Sequence, residues 1–133
     1  MKIYQIDAFT NEVFKGNPAA VVPLEKWLPT ETMQQIAAEN NLAETAFFVQ
    51  EENHFHIKWF TPTVEIELCG HATLASAFVI YNYLNYDKNE IHFTCMVGDL
   101  FVTKNKDWIT LNFPSIDTQI VKAPEVLAQA IGT

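Results

Sequence analysis

The chain has 133 residues, of which 16 are acidic and 8 are basic, so its formal net charge is −8 at pH 7. Eight basic residues scattered singly do not make the basic face that binding to nucleic acid or to an anionic membrane surface requires. With 49% hydrophobic residues, the composition is typical of one folded domain that buries its core without disulfides or a structural metal.

The first half of the chain predicts several strands and one helix. Alternating or continuous apolar runs predict strands over residues 2–9, 19–22, 45–50, 54–61 and 64–68. A tight turn at Gly16-Asn17-Pro18 separates the first two strands. The helix is predicted over Thr30–Asn40, with Thr30 as N-cap and Asn40 or Asn41 as terminator.

After Gly70 the pattern changes, because residues 71–84 are apolar on nearly every side. A helix without a polar face has to be surrounded by protein. The β-branched and aromatic residues of this segment keep a strand open as the alternative, although the segment is long for one. Three further strands are predicted over 90–97, 100–104 and 108–113, with turns at Gly98-Asp99 and 105–107. A short last helix over 125–131 ends at Gly132. We therefore predict an α+β fold in which a largely antiparallel sheet wraps around one apolar helix.

The chain carries no sign of export or of membrane insertion. The N-terminus lacks the basic start and apolar run of a secretory signal, and no window holds 18 uninterrupted apolar residues. The cysteines, Cys69 and Cys95, lie in apolar stretches, as free thiols do. We expect a cytoplasmic protein.

Glu44 is the first candidate for chemistry. It stands at the entrance to a predicted strand, just before the apolar run 46–49. Partial desolvation there disfavours the charged carboxylate and makes the group a better proton shuttle near neutral pH. The alternative is a solvated loop glutamate, which is the commoner case.

The second candidate is the segment Leu68-Cys69-Gly70-His71-Ala72-Thr73. A strand enters, glycine turns the chain, and small residues begin a helix whose first N–H groups lack intrahelical partners. Such a terminus favours a carboxylate or a phosphate, and His71 adds a hydrogen bond or a proton. The alternatives are a packing role for Gly70 and a surface role for His71.

Other patterns predict less. His54 and His56 share one strand face, but His92 stands alone in a later strand, so a polar hairpin face is favoured over a metal site. Cys69 beside His71 invites a thiol-nucleophile interpretation, against which stands the more common buried structural cysteine. Neither a phosphate-binding glycine loop nor a G-x-S-x-G motif occurs in the sequence.

Three segments together resemble one known family. FTNEVFKGNPAAVV (9–22), AAENNLAETAFF (37–48) and WFTPTVEIELCGHATLASA (59–77) are similar, in this order, to the phenazine-biosynthesis isomerase family, called PhzF-like, within the diaminopimelate-epimerase fold class. The resemblance implies a curved mixed sheet around a central helix, and the apolar segment after Gly70 would be that helix. The type reaction of the family is isomerisation of trans-2,3-dihydro-3-hydroxyanthranilate.

The resemblance also assigns roles to residues. It implies that Glu44 is the catalytic acid/base, which moves a proton between carbons of a cyclic substrate without a cofactor or a metal. Gly70, His71 and Ala72 match the segment that holds this small-molecule carboxylate. Family members carry two such domains, so residues 1–133 are expected to form a single domain like the N-terminal half. A homodimer or a separate C-terminal domain would then complete the cleft.

Two alternatives to this function stay open from the sequence. One is a non-catalytic domain that binds a small molecule or a partner at the start of the helix. The other is a two-cysteine racemase or epimerase, which requires two opposed thiols. Cys95 is a poor second thiol for it, because it lies within a predicted strand of the same domain.

Overall fold

The computed structural model describes residues 1–115 and 117–132, and within them the chain forms eight strands and three helices. In chain order they are β1 (Tyr4–Ala8), β2 (Asn17–Leu24), α1 (Thr30–Asn40), β3 (Glu44–Gln50), β4 (Phe55–Phe60), β5 (Glu65–Ile66), α2 (Gly70–Tyr83), β6 (Glu90–Cys95), β7 (Gly98–Asn105), β8 (Trp108–Asn112) and α3 (Glu125–Ala130). The α+β fold class is confirmed.

The strands form one mixed sheet in the order β1-β2-β3-β4-β6-β7-β8, with β5 paired to β4. Most neighbours are antiparallel, but β2 pairs with β3 and β4 pairs with β6 in parallel. Parallel neighbours need a crossover connection, and the two long helices supply it. Helix α1 leads from β2 to β3, and α2 leads back into the sheet at β6.

Helix α2 lies inside the curl of the sheet. It contacts the central strands β2 and β3 and also both edge strands, β1 and β8. Its two small polar side chains are satisfied on the helix itself, because Thr73 donates to the Cys69 carbonyl at 2.5 Å and Ser76 to the Ala72 carbonyl at 2.7 Å. The prediction of a surrounded helix is confirmed and the strand alternative is wrong, although Phe78 on one side still reaches the surface.

Helix α1 covers the outer face of the same sheet. A second apolar cluster joins Met33 and Ala37 of this helix to Val22, Phe47 and Phe60 of the strands. Strand β3 is thus covered by α2 on one side and by α1 on the other. That is why residues 45–49 are all buried and read as a continuous apolar run rather than an alternating one.

Local details differ from the sequence-based expectations in three places. Asn17 and Pro18 belong to β2 and pair with Ala8 and Asp7, so the turn predicted at Gly16-Asn17-Pro18 does not include them. Thr30 is not the N-cap of α1, because it is already the first residue of the helix. The cap residue is Pro29, whose side chain has no polar atom that could form a capping hydrogen bond. Asn41, in the left-handed conformation at φ 51°, does end that helix. The turn between β6 and β7 falls on Met96 and Val97 rather than on Gly98-Asp99. No helix within 1–115 and 117–132 has the length and apolar character that crossing a membrane demands.

Candidate active site

Three side chains that are distant in sequence meet where β3 begins and α2 begins. Glu44 is the first residue of β3, Cys69 is the cap residue before α2, and His71 lies in the first turn of that helix. They come together because α2 packs along β2 and β3. Glu44 and His71, both predicted site residues, are therefore neighbours in space.

The contacts within this group run through the imidazole. The Nε2 atom of His71 lies 3.2 Å from Oε2 of Glu44, and its Nδ1 atom lies 3.4 Å from Sγ of Cys69. The His71 side chain is 10% exposed and that of Glu44 is 18% exposed. Glu44 is thus sheltered rather than a solvated loop residue, and His71 is not a surface residue.

The facing atoms of Glu44 and His71 lie close together but form no aligned hydrogen bond with each other. Their 3.2 Å approach meets the distance for an ion pair. Neither Oε2 of Glu44 nor Nε2 of His71, however, forms an aligned hydrogen bond within the described part of the chain, and both atoms are buried. A buried polar atom without a partner is costly, so this pair is suited to receive a ligand.

The first turn of α2 offers free amide groups beside the pair. The first N–H group of this turn with an intrahelical acceptor is that of Thr73, which donates to the Cys69 carbonyl at 3.3 Å. The N–H groups of Gly70, His71 and Ala72 precede it and have no intrahelical acceptor; those of His71 and Ala72 lie close to the Cys69 sulfur without forming a capping hydrogen bond to it. Amide hydrogens and the positive end of the helix dipole together favour an anion.

Cys69 is a buried thiol rather than an activated nucleophile. Its pKa is raised to about 11, mainly by burial; the N–H group of Ala72 lowers it, the charge of Glu44 adds to the rise, and the N–H group of His71 offsets a smaller part. At neutral pH the sulfur is therefore a thiol, which disfavours the nucleophile interpretation. Cys95 lies at the end of β6, where its thiol donates to the Gly98 carbonyl at 3.3 Å. The described residues grouped around Cys69 as possible ligand donors are Glu44 and His71, and Cys95 is not among them.

Gly70 has a packing reason as well as a place in the site. A Cβ atom at this position would lie 2.8 Å from the ring of Phe113, which follows β8 and covers the start of α2. Sequence reasoning missed Phe113, because an aromatic residue after a last strand gives no local signal of such a contact. The expectation of a packing glycine is therefore confirmed, and a role of Gly70 in binding a ligand stays a prediction.

An apolar surface loop lies at the same end of the sheet as Glu44. Strand register pairs Ala8 with Asn17 and Ala19 with Glu44, so the β1–β2 loop lies at the same end of the sheet as Glu44. Three large side chains of this loop point outward: Phe9, Val13 and Phe14, exposed by 74%, 73% and 94%. An exposed apolar group of this kind is typical of a surface that another protein segment covers.

The histidines away from the site form a surface cluster. The ring of His54, the residue before β4, lies 5.5 Å from the ring of His92 on β6, and Glu51 and Asp99 pair with His54 and His92 at 2.9 Å and 2.7 Å, respectively. The expectation that His92 stands alone is wrong, because the parallel pairing of β4 with β6 brings His92 beside His54. The spacing of histidines in the sequence gives no signal of that pairing.

Comparison with known proteins connects this geometry to a family. A family model described as "Phenazine biosynthesis-like protein" matches residues 6–132. An uncharacterized isomerase from Pseudomonas aeruginosa is 43% identical over 99% of this chain and 51% of its own length. The crystal structure of a PhzF-family phenazine biosynthesis protein from Enterococcus faecalis superimposes with a TM-score of 0.91 at 52% identity, over 98% of this chain and 50% of that one.

A more distant neighbour extends the likeness in fold alone. The structure of a predicted epimerase from Pseudomonas aeruginosa has a TM-score of 0.65 at 24% identity, over 80% of this chain and 40% of that one. The chain spans about half the length of the curated relatives it matches.

Proposed function

This chain belongs to the PhzC-PhzF family of phenazine biosynthesis-like proteins, and we propose that it is an isomerase-type domain that shifts a hydrogen within a small cyclic carboxylate, without a cofactor. The isomerase class has support from the description of a 43% identical relative. The nature of the substrate and the mechanism are argued from the geometry of the site.

In this proposal Glu44 is the catalytic acid/base. Its carboxylate takes a proton from one carbon of the substrate, which leaves the electron pair delocalised in the ring system, and the protonated carboxyl returns the proton to another carbon. One group that both accepts and returns a proton needs partial shelter from bulk water, which would otherwise compete for the proton, while the 18% exposure of the Glu44 side chain still lets its proton exchange with solvent. The low exposure of the Glu44 side chain supports this role.

His71 and the start of α2 hold the substrate. The N–H groups of Gly70, His71 and Ala72 are the hydrogen-bond donors for its carboxylate, which the helix dipole also favours. The imidazole of His71 contacts a polar group of the ring beside Glu44. Fixing the carboxylate in this way orients the reacting carbon toward Glu44, and orientation supplies much of the rate in reactions of this kind.

The observation that carries the proposal is the pair of facing buried atoms, Oε2 of Glu44 and Nε2 of His71. They lie 3.2 Å apart beside free amide groups, and neither has a hydrogen-bond partner among the described residues. A packing role alone gives no reason to keep two such atoms unsatisfied.

Solvent deuterium uptake tests the proposal. Cyclic hydroxy- and amino-carboxylates, including trans-2,3-dihydro-3-hydroxyanthranilate, would be incubated with the protein in deuterated buffer and analysed by mass spectrometry and NMR. We expect Glu44→Gln to lower carbon–deuterium exchange by at least about 100-fold, the scale of a lost acid/base group. Glu39→Gln, on the exposed end of α1, is the matched control and should leave exchange unchanged.

A non-catalytic binding domain is the second candidate, favoured by the exposed apolar loop at the same end of the sheet as Glu44. It predicts that a carboxylate binds at the start of α2 with no deuterium uptake in the wild-type protein. Equal exchange in the wild type and in Glu44→Gln would contradict the proposed acid/base role.

We also propose that a second protein surface closes the site from the side of the β1–β2 loop. A second copy of this chain or a domain of the same fold fits the apolar character of Phe9, Val13 and Phe14. Free thiols at Cys69 and Cys95 support a reducing compartment, and we propose the cytoplasm.

A further inference from the structure

Glu44, Cys69 and His71 offer three different donor types in one small space. One ligand atom from each, a carboxylate oxygen, a sulfur and an imidazole nitrogen, lies within 4.8 Å of the other two. Sulfur, imidazole and carboxylate are the donors that Zn²⁺ takes in proteins, and three protein ligands leave its fourth position open.

A second and independent observation points to a ligand at this place. The His71 side chain is nine-tenths buried, and its Nε2 atom has no hydrogen-bond partner in the described part of the chain. The same holds for Oε2 of Glu44, which faces it. Coordination would satisfy both atoms at once.

We propose that Glu44, Cys69 and His71 bind one Zn²⁺ per chain, and that the bound cation and the substrate exclude each other. The exclusion rests on the proposed function, because Glu44 cannot carry a proton while it coordinates a metal. The binding itself does not rest on it. On binding, the Cys69 thiol loses its proton to the buffer as the sulfur–zinc bond forms, and no oxidation or reduction takes place.

The site needs a small adjustment to close around the ion. Zinc–ligand bonds of about 2.0–2.3 Å put tetrahedral donors roughly 3.5 Å apart. Two contacts are already of this order, 3.4 Å from Cys69 to Nδ1 of His71 and 3.2 Å from Nε2 to Glu44. Because these contacts use the two different nitrogens of one ring, a rotation of the Cys69 side chain must bring its sulfur toward Nε2, the nitrogen that faces Glu44.

The surface cluster of histidines fits a metal less well. His54 and His92 already pair with Glu51 and Asp99, and both rings are about one-third exposed. Within the ranges 1–115 and 117–132, the group at the start of α2 has three donors within 4.8 Å of one another, and the surface cluster forms no such group. The two places are therefore compared directly in the test.

The test uses the metal alone, on the full chain after treatment with a chelator. Calorimetry with Zn²⁺ measures stoichiometry and affinity, and Co²⁺ replaces it for spectroscopy, since a thiolate–cobalt charge-transfer band reports the sulfur ligand. We expect one ion per chain and a charge-transfer band in the wild type and in Cys95→Ser. Cys69→Ser should abolish the band, and Cys69→Ser and His71→Gln should each weaken zinc binding by at least about tenfold.

The proposal is overturned if the wild type shows no saturable binding, or no sulfur-to-cobalt band at saturation. It is also overturned if Cys69→Ser binds as tightly as the wild type, or if His54→Asn with His92→Asn removes the site instead. Should Cys69→Ser fail to fold, Glu44→Gln is the second variant, because Glu44 is the least buried of the three donors. None of these readouts needs a substrate, so failure here and failure of the proposed function are told apart.

Discussion

At the scale of single residues, Gly70 links the packing of the fold to the candidate site. The missing side chain lets the Phe113 ring lie over the first turn of α2, next to the amides that are proposed to hold an anion. Phe113 is itself 45% exposed, so its ring has room to move. A side chain at position 70 would thus meet the movable Phe113 ring rather than fixed backbone atoms.

The Gly70→Ala variant should therefore still fold, but with a lower free energy of unfolding. We expect a loss of about 1 kcal/mol in the free energy of unfolding, because the new methyl group overpacks against Phe113. In a Phe113→Ala background the loss should vanish or become a small gain, since alanine favours the helix. Denaturant unfolding of the four proteins in this double-mutant cycle measures the coupling; additive effects would mean that the ring contact does not exist in solution.

Gly16 is a contrasting case. A Cβ atom there would meet the carbonyl oxygen of Ala8 and also the Asp7 side chain at 2.9 Å, so main-chain atoms stand in its way. We expect Gly16→Ala to cost about 1–3 kcal/mol, more than Gly70→Ala, because the backbone cannot yield as a side chain can. The same unfolding measurement checks this order, and a smaller loss at Gly16 than at Gly70 would contradict it.

At the scale of elements, α2 is held in the sheet by a tyrosine as well as by apolar contacts. The hydroxyl of Tyr81 donates to the carbonyls of Asn89 and Val102, at 2.9 Å and 3.1 Å. These bonds tie the end of α2 to the start of β6 and to β7 from inside the curl. Burial raises the pKa of Tyr81 to about 12, because it disfavours the charged phenolate.

The raised pKa of Tyr81 makes the free energy of unfolding fall with pH in the alkaline range. A raised pKa in the folded state means that the contribution of Tyr81 to stability is complete below pH 10, the ordinary value, and is lost as the pH rises toward 12. We expect Tyr81→Phe to lower the free energy of unfolding at neutral pH by about 1–2 kcal/mol, through the two lost hydrogen bonds. The variant should also flatten the decline of stability between pH 10 and 12.

Chemical unfolding at a series of pH values measures both effects. Tyr83→Phe is the matched control, because Tyr83 lies on the same helix and is 53% exposed. Some alkaline sensitivity should remain in Tyr81→Phe, since burial also raises the pKa of Tyr86. An unchanged slope in Tyr81→Phe would show that its hydroxyl is not buried in solution.

At the scale of the whole molecule, the apolar β1–β2 loop stands out because it is exposed and lies at the same end of the sheet as Glu44. We propose that a second copy or a similar domain covers it, and Phe14 offers a clean way to test this. Its backbone has φ 68°, a conformation in which asparagine is well tolerated, and its side chain is almost fully exposed. Phe14→Asn should therefore remove apolar surface without disturbing the fold.

We expect light scattering at micromolar concentration to show a dimer of the wild-type chain and weaker association of Phe14→Asn. The free energy of unfolding per chain should change by less than about 0.5 kcal/mol, as for other surface substitutions. A wild-type chain that is monomeric at this concentration would rule out the second copy as the covering surface. Phe78→Asn, on the exposed side of α2, is a control for general loss of surface hydrophobicity.

Much of the fold follows from local pattern. The apolar character of residues 71–84 on nearly every side and the length of the segment favour a helix surrounded by protein over a strand, and the alternation of 54–61 predicts its strand, because burial on one or all faces leaves a direct trace in the sequence. Asn41 ends α1 as expected, since asparagine accepts a left-handed conformation. The prediction that Thr30 caps α1 is wrong, because the chain enters the helix through Pro29 and Thr30 is already helical.

The sequence by itself thus determined the elements, the family resemblance and Glu44, Gly70, His71 and Ala72 as candidates. Only the tertiary structure decided which side chains meet: Glu44 with His71 and Cys69, Phe113 over Gly70, and His92 beside His54. The physical reason is that periodicity records how each residue faces the core, whereas strand order and helix docking arise from packing between segments far apart in the chain.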